Sequence, residues 1–289
     1  SSASLTAAAW QAASPGKSRR EPMRFGCCLN MVSSEADKGT GIDFIETLSE
    51  IGYDYVELPL AEMAALSKEE FLSLKRRIDR TGIKCEVCNN FFPKTMRLTG
   101  ASVDYTEIMA YVDRALRRAQ SLGVEYVVFG SGPAKNVPEG FPMEQGYEQV
   151  AGLLKRVAPV AGRYGITIVI EPLRKAECNL INSFKEGCEL TRKVGEENIK
   201  VLVDYYHLSV EQEPTEHIVK EGKEYLRHVH FANPDGRVYP KTEHESEYGN
   251  FFDALRRAGY DNRISCEAYS GDFKQDAGRA LELLRKFAM

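Results

Sequence analysis

No apolar run in the 289-residue chain approaches the length of about 20 residues that a membrane-crossing helix requires, so a soluble protein without a membrane partner is expected. An excess of basic charge is also missing. Lys and Arg number 38 against 42 Asp and Glu, for a formal net charge of −4, and they are scattered along helical faces. That distribution removes the electrostatic footprint of a nucleic-acid or anionic-membrane binder and leaves a small molecule as the expected partner. A nucleotide-binding loop is lacking too. Gly130 and Gly132 in FGSGPAKN supply only the first part of a GxGxxG pattern, and no Walker GxxxxGK sequence occurs.

The cysteines do not form an even set. Seven are present (27, 28, 85, 88, 178, 188 and 266), and four lie inside apolar runs, which suits buried free thiols and a reducing cytoplasm. Cys85 and Cys88 have CxxC spacing, but within the strand-like run IKCEVC alternation should send them to opposite faces, so neither zinc nor redox chemistry is expected of them. Nothing resembles an interdomain linker. Residues 1–22 are rich in Ala and Ser, and their basic residues follow the alanines, the reverse of a signal peptide. They read as a tag, linker or disordered leader, with one catalytic domain over 23–289.

What is present is a rhythm. MRFGCCLN, YDYVELP, IKCEVCNN, VEYVVFGSG, ITIVIEP, IKVLVDYYH, LRHVHFAN and RISCEAYSG are short β-rich runs. Amphipathic stretches lie between them, such as Ile108, Val112, Ala115, Ala119 and Leu122 ahead of Gly123, or Phe252, Leu255 and Ala258 ahead of Gly259. Several of these helices close on Gly just before the next strand, as in DRTGIK and AGRYGITI, where a left-handed turn is needed. Eight strand and helix pairs fit the about 250 residues of a (β/α)₈ TIM barrel. An open doubly wound sheet is the rival, with about six strands and usually a phosphate-binding turn.

The run GITIVIEP carries the functional question. Ile166 to Ile170 read as a strand buried on both faces, yet the run ends on Glu171 and Pro172. An unpaired charge there would cost several kcal/mol unless a cation or hydrogen bonds compensate. The next three strands end likewise: Asp204 with His207 beyond it, His230 in HVHF, and Glu267 in SCEAY. Individually each has a plain structural reading, a helix cap for Asp204, a core histidine for His230, and Ser265 or Tyr269 as partners for Glu267. Jointly, one ligand type at each of four successive strand ends points to a shared divalent cation at the C-terminal mouth of a barrel. Three carboxylates and one imidazole suit Mn²⁺, Mg²⁺ or Co²⁺. Asn30, Glu57 and Asn89, which end the first three strands, can line the same mouth or cap helices; His217 and His228 receive no role.

These motifs resemble the sugar isomerase and epimerase superfamily of xylose-isomerase-like barrels, and most closely the ketohexose 3-epimerases of the D-tagatose and D-psicose 3-epimerase type. The resemblance spans nearly the whole chain from Met23, but its specific motifs lie between Glu171 and Glu267. It implies that EPLRKAECN supplies a metal-binding Glu171 and a substrate-binding Glu177. It further implies that DYYH supplies the ligand Asp204 and the substrate contact His207, that HVH supplies the ligand His230, and that CEAY supplies the ligand Glu267. Arg237 in NPDGR resembles the substrate-binding arginine of the following loop. By resemblance the ion is first of all Mn²⁺, the substrate is a sugar, and a homo-oligomer is compatible. Two departures concern substrate choice: FANPDGRVYP is one residue longer ahead of its arginine than the family's loop, and Arg174 stands where those enzymes commonly have Asn.

The chemistry implied is proton transfer at the carbon beside a carbonyl through a cis-enediolate, with Glu171 and Glu267 as the acid and base pair. Return to the opposite face gives epimerisation, and return to the neighbouring carbon gives aldose–ketose isomerisation. A lyase or dehydratase on a keto-sugar would use the same enolisation. From another class comes a noncatalytic sugar-binding barrel, which would not require all four ligands. The endonuclease IV branch of the superfamily is not expected, because its additional histidines are absent: CNNFF and FGSGP end strands three and four.

Overall fold

A computed structural model describes residues 23–289, so the reading of 1–22 lies outside the described residues. Eight parallel strands form one closed ring: β1 (Arg24–Cys28), β2 (Tyr55–Pro59), β3 (Cys85–Asn89), β4 (Tyr126–Phe129), β5 (Thr167–Ile170), β6 (Ile199–Asp204), β7 (Leu226–Phe231) and β8 (Arg263–Cys266). The ring closes because β1 pairs with β8 as well as with β2, Cys27 lying opposite Cys266. This is the expected (β/α)₈ barrel, and the β1–β8 pairing excludes an open sheet. No helix among the described residues is long and apolar enough to cross a membrane.

Local sequence explains the crossovers. The helix Lys68–Thr81 starts at a reciprocal capping box between Ser67 and Glu70 and stops at Gly82, whose φ of 78° is the left-handed turn foreseen in DRTGIK. Asp104 caps Tyr105–Ser121, whose Ile108, Val112, Ala115 and Ala119 are buried against the barrel. The main core is this layer between strands and helices. A separate small cluster of Tyr55, Val87, Val128, Val169 and Leu202 fills the interior of the ring. Gly26 makes room for it, because a Cβ there would lie 2.5 Å from the Tyr55 ring.

Strand alternation turns that interior cluster into a ruler. Two residues beyond Tyr55, Val87, Val169 and Leu202 stand Glu57, Asn89, Glu171 and Asp204, so each of these also faces inward, one layer nearer the C-terminal mouth. On β7 and β8 both layers are polar: His228 then His230, and Ser265 then Glu267.

The expectation for the CxxC pair fails on this point. The β2–β3 register shifts between Val56, opposite Cys85, and Glu57, opposite Val87, so Glu86 is an extra residue on β3. The bulge puts Cys85 and Cys88 together in the outer layer, where the neighbouring Cys85 adds to the effect of burial in raising the Cys88 thiol. All seven cysteines are nonetheless free and buried.

Candidate active site

The four strand-end groups meet. His230 Nδ1 lies 2.8 Å from Glu171 Oε2, 3.2 Å from Glu267 Oε2 and 3.8 Å from Asp204 Oδ2. One ligand atom from each residue falls within 4.8 Å of all the others, and all four residues are buried. Asp204 divides its carboxylate. Oδ1 accepts from the backbone N–H groups of Tyr206 (2.7 Å) and His207 (3.4 Å), capping the short helix Tyr205–Val210, while buried Oδ2 has no hydrogen-bond partner. The capping role and a ligand role are thus compatible, one oxygen each. Three carboxylates, one imidazole nitrogen and an orphaned buried oxygen fit a hard or borderline divalent cation.

Beneath the cluster runs a chain of hydrogen bonds that the sequence reading missed. Tyr55 OH is 2.6 Å from Ser265 Oγ, and Ser265 donates to Glu57 Oε1 (2.7 Å). Glu57 also takes His228 Nε2 on Oε1 and His230 Nε2 on Oε2, each at 2.7 Å. Glu57 therefore does not line the mouth. It is wholly buried and fixes the His230 ring so that Nδ1 is the atom turned to the other carboxylates, the arrangement by which proteins orient ligating histidines. Ser265 serves Glu57, not Glu267, and Tyr269 is exposed at the rim. A signal for Glu57 existed: VELP in β2 repeats the pattern of VIEP after β5, a carboxylate closing a fully buried run.

The two outer glutamates sit in different fields. Burial, then the neighbouring Glu267 charge, push Glu171 up to about 8 despite His230. Burial also opposes charge on Glu267, but His230 and Arg237 outweigh it and hold that carboxyl below the ordinary range. Arg237 Nη2 is 2.5 Å from Glu267 Oε1, and Asn89 Nδ2 donates to Oε2 (3.2 Å) while also holding Asn30 Oδ1 (2.9 Å). Arg237 reaches this position because its loop folds back on itself. Asn233 N–H donates to Val238 O (2.8 Å), Arg237 takes a left-handed φ of 52°, and Tyr269 N–H donates to its carbonyl (2.8 Å).

The remaining expected residues converge from the β5 and β6 sides. His207 Nδ1 accepts the Arg174 backbone N–H at 3.0 Å, and burial lowers the ring's pKa. The ring is therefore neutral with its proton on Nε2, which is buried, has no partner and belongs to a pocket-lining residue. Glu177 lies between two arginines, 2.7 Å from Arg174 Nε and 3.7 Å from Arg237 Nη1. Arg174 is thus paired with Glu177. Glu171, Glu177, His207, Arg237 and Glu267 all line one cavity of about 430 Å³, within the usual range for small-molecule sites. Gly130, part of the incomplete nucleotide-loop pattern, has a spatial purpose here: a Cβ on it would lie 2.6 Å from Glu171 Oε1.

A (β/α)₈ barrel with a polar pocket built from its C-terminal strand ends is the architecture of a barrel enzyme. The chain belongs to the xylose isomerase-like TIM barrel family, whose profile matches residues 45–287. Among curated relatives, a probable ketose 3-epimerase of Synechocystis is 24% identical over 221 residues, 72% of each chain. A D-psicose 3-epimerase of Ruminiclostridium cellulolyticum is 23% identical over 233 residues, 78% of this chain and 77% of the relative. A crystal structure of a D-psicose 3-epimerase in the presence of D-fructose superposes with a TM-score of 0.79, covering 92% of this chain and 99% of the other at 19% identity, a likeness of fold.

Proposed function

We propose that the protein is a metal-dependent isomerase that epimerises a ketose by moving a proton at the carbon beside the carbonyl. The observation that carries this reading is the convergence of Glu171 and Glu267, from the ends of β5 and β8, on His230 Nδ1 at 2.8 and 3.2 Å, in a pocket that also holds neutral His207 and Arg237. A divalent ion, Mn²⁺ first and Mg²⁺ or Co²⁺ next, would be held by Glu171, Asp204, His230 and Glu267 and would supply Lewis-acid stabilisation of negative charge developing on the substrate oxygens.

The side chains account for the rest. One of Glu171 and Glu267 takes the proton and the other returns it from the opposite side, which inverts the carbon. His207 Nε2–H and the Arg237 guanidinium donate to substrate oxygens near the reacting carbon, and Glu177, steadied by Arg174, accepts a terminal hydroxyl. The buried free thiols suit a reducing compartment such as the cytoplasm.

Incubation of the Mn²⁺-loaded protein with ketoses in D₂O tests the reading. Deuterium at C3 is expected, and its loss in both Glu171→Gln and Glu267→Gln. Label at C1 or C2 would mean aldose–ketose isomerisation, loss of water or a fragment would mean a lyase, and no exchange with any ketose would leave a noncatalytic barrel.

A further inference from the structure

The mouth has a second half that the proposed chemistry does not use. Its residues follow β1 to β4, across the ring from β5 to β8: Asn30, Ser33, Glu62, Asn90, Lys94 and Ser131 all line the same cavity. In an eight-strand ring β2 stands opposite β6, so Glu62, in the helix Leu60–Ala64 directly after β2, faces the pocket from the side opposite Asp204 and His207.

Glu62 is set up to meet a ligand. Its Oε2 is buried without a hydrogen-bond partner, although the residue lines an open cavity. Burial raises its pKa, partly offset by nearby Asn90 and by the charge of Lys94, which is exposed. Asn90 is itself held in a left-handed conformation, φ 48°, while its carbonyl accepts the Ala61 N–H at 2.8 Å. Backbone strain of this kind persists where the surroundings over-determine a position, and it clusters at ligand sites.

The cations near the pocket are meanwhile engaged. Arg237 faces Glu267, Asp204 and Glu177, and Arg174 faces Glu177. Lys175 is exposed and outside the cavity wall. A phosphate in this pocket would meet Glu62, Glu171, Glu177 and Glu267 with only Lys94 unclaimed, whereas sugar hydroxyls are good donors to a bare carboxylate oxygen.

We propose that Glu62 is a specificity-determining residue whose carboxylate accepts hydroxyls on the substrate carbons remote from the reacting centre, selecting an uncharged polyhydroxyl end and rejecting a phosphorylated one. The assignment rests on the ketose reading above. With the reacting carbon held at Glu171 and Glu267, Glu62 is the carboxylate of the same cavity on the β2 side, where the remainder of a ketose chain would lie.

The probes are D-psicose, D-fructose and D-fructose 6-phosphate, with the Mn²⁺-loaded protein. Glu62→Ala is expected to raise KM for the free ketose about tenfold or more, as for a lost hydrogen bond to a charged group, with kcat within about twofold. Glu62→Gln should fall between, because the amide keeps one acceptor. Glu62→Lys should narrow the wild-type preference for the free sugar over its phosphate. An unchanged KM in a Glu62→Ala protein of normal circular dichroism and metal content overturns the assignment, as does a wild-type preference for the phosphate. Solvent exchange by the wild type separates the two readings: exchange with unchanged KM removes Glu62 alone, and no exchange removes the epimerase reading. In the latter case calorimetric binding of the same sugars still decides, since equal affinities for wild type and Glu62→Ala overturn the hydroxyl contact.

Discussion

Gly130 and Glu171 pack so closely that a β-carbon on Gly130 would stand 2.6 Å from Glu171 Oε1. Gly130 has an ordinary negative-side backbone, unlike the left-handed glycines at helix ends, so only the contact forbids a side chain there. Gly130→Ala should therefore displace the Glu171 carboxylate. Overpacking costs about 1–3 kcal/mol, while a displacement of about 1 Å at a reacting group lowers kcat by about 100-fold. Exchange kinetics beside a melting curve check it; full activity would mean that Glu171 moves without consequence.

Glu57 predicts a metal-affinity effect at a distance from the ion. Glu57→Gln keeps the shape but weakens the hold on His230 Nε2, and loss of such an outer partner typically lowers metal affinity by about 10–100-fold. Glu57→Ala should be worse, costing about 3–5 kcal/mol of stability by leaving charged and polar partners buried without it. Competitive chelator titration and urea denaturation read the two effects separately.

Metal-free protein should lose stability as pH rises. Glu171, raised to about 8 from near 4.5, holds in the native state a proton that the unfolded chain releases earlier. A group with a raised folded pKa contributes stability that is complete below its unfolded pKa and is lost as pH climbs through its folded one. His230, raised by Glu267 and Glu57 against the opposing effect of burial, acts in the same direction. Melting temperatures after chelator treatment are expected to fall as pH rises from about 4.5 to about 8, and the gain on adding Mn²⁺ to grow over that interval as the ion replaces the proton. A gain independent of pH would argue against Glu171 as a ligand.

Lys135 is fully buried, 5.3 Å over the Phe129 ring, with no hydrogen-bond partner for Nζ. Burial lowers its pKa, so the native state is penalised wherever the unfolded chain is protonated, including neutral pH. Lys135→Met should raise stability by about 1–2 kcal/mol with metal content unchanged. A fall in the urea midpoint would show that the ammonium has a partner in solution.

The strands were legible because parallel strands covered on both faces read as apolar runs, and each ligand-type strand end interrupted one. IVIEP announced Glu171 in this way. Glu57 is expected at the mouth and lies beneath it instead, because strand-end position alone does not say how deep in the ring a residue lies; that needs the register against neighbouring strands. The Cys85 and Cys88 placement failed because a bulge at Glu86 leaves no mark in the composition of IKCEVC. Glu62 and Asn90 were invisible for another reason: they lie on connections whose residues meet only through the closed ring.

That closure has a consequence for the newly made chain. Glu57 and His230 are 173 positions apart, and their bond passes from β2 to β7 across the seam where β8 and β1 join the two ends. A polypeptide emerging from the ribosome without its last quarter would carry Glu171 and Asp204 but neither the imidazole between them nor Glu267. Every half-built sheet leaves those carboxylates facing water, and loop closure must come first before the cluster can exist. The site is thus a late reporter of assembly, formed when the first and last strands have found each other.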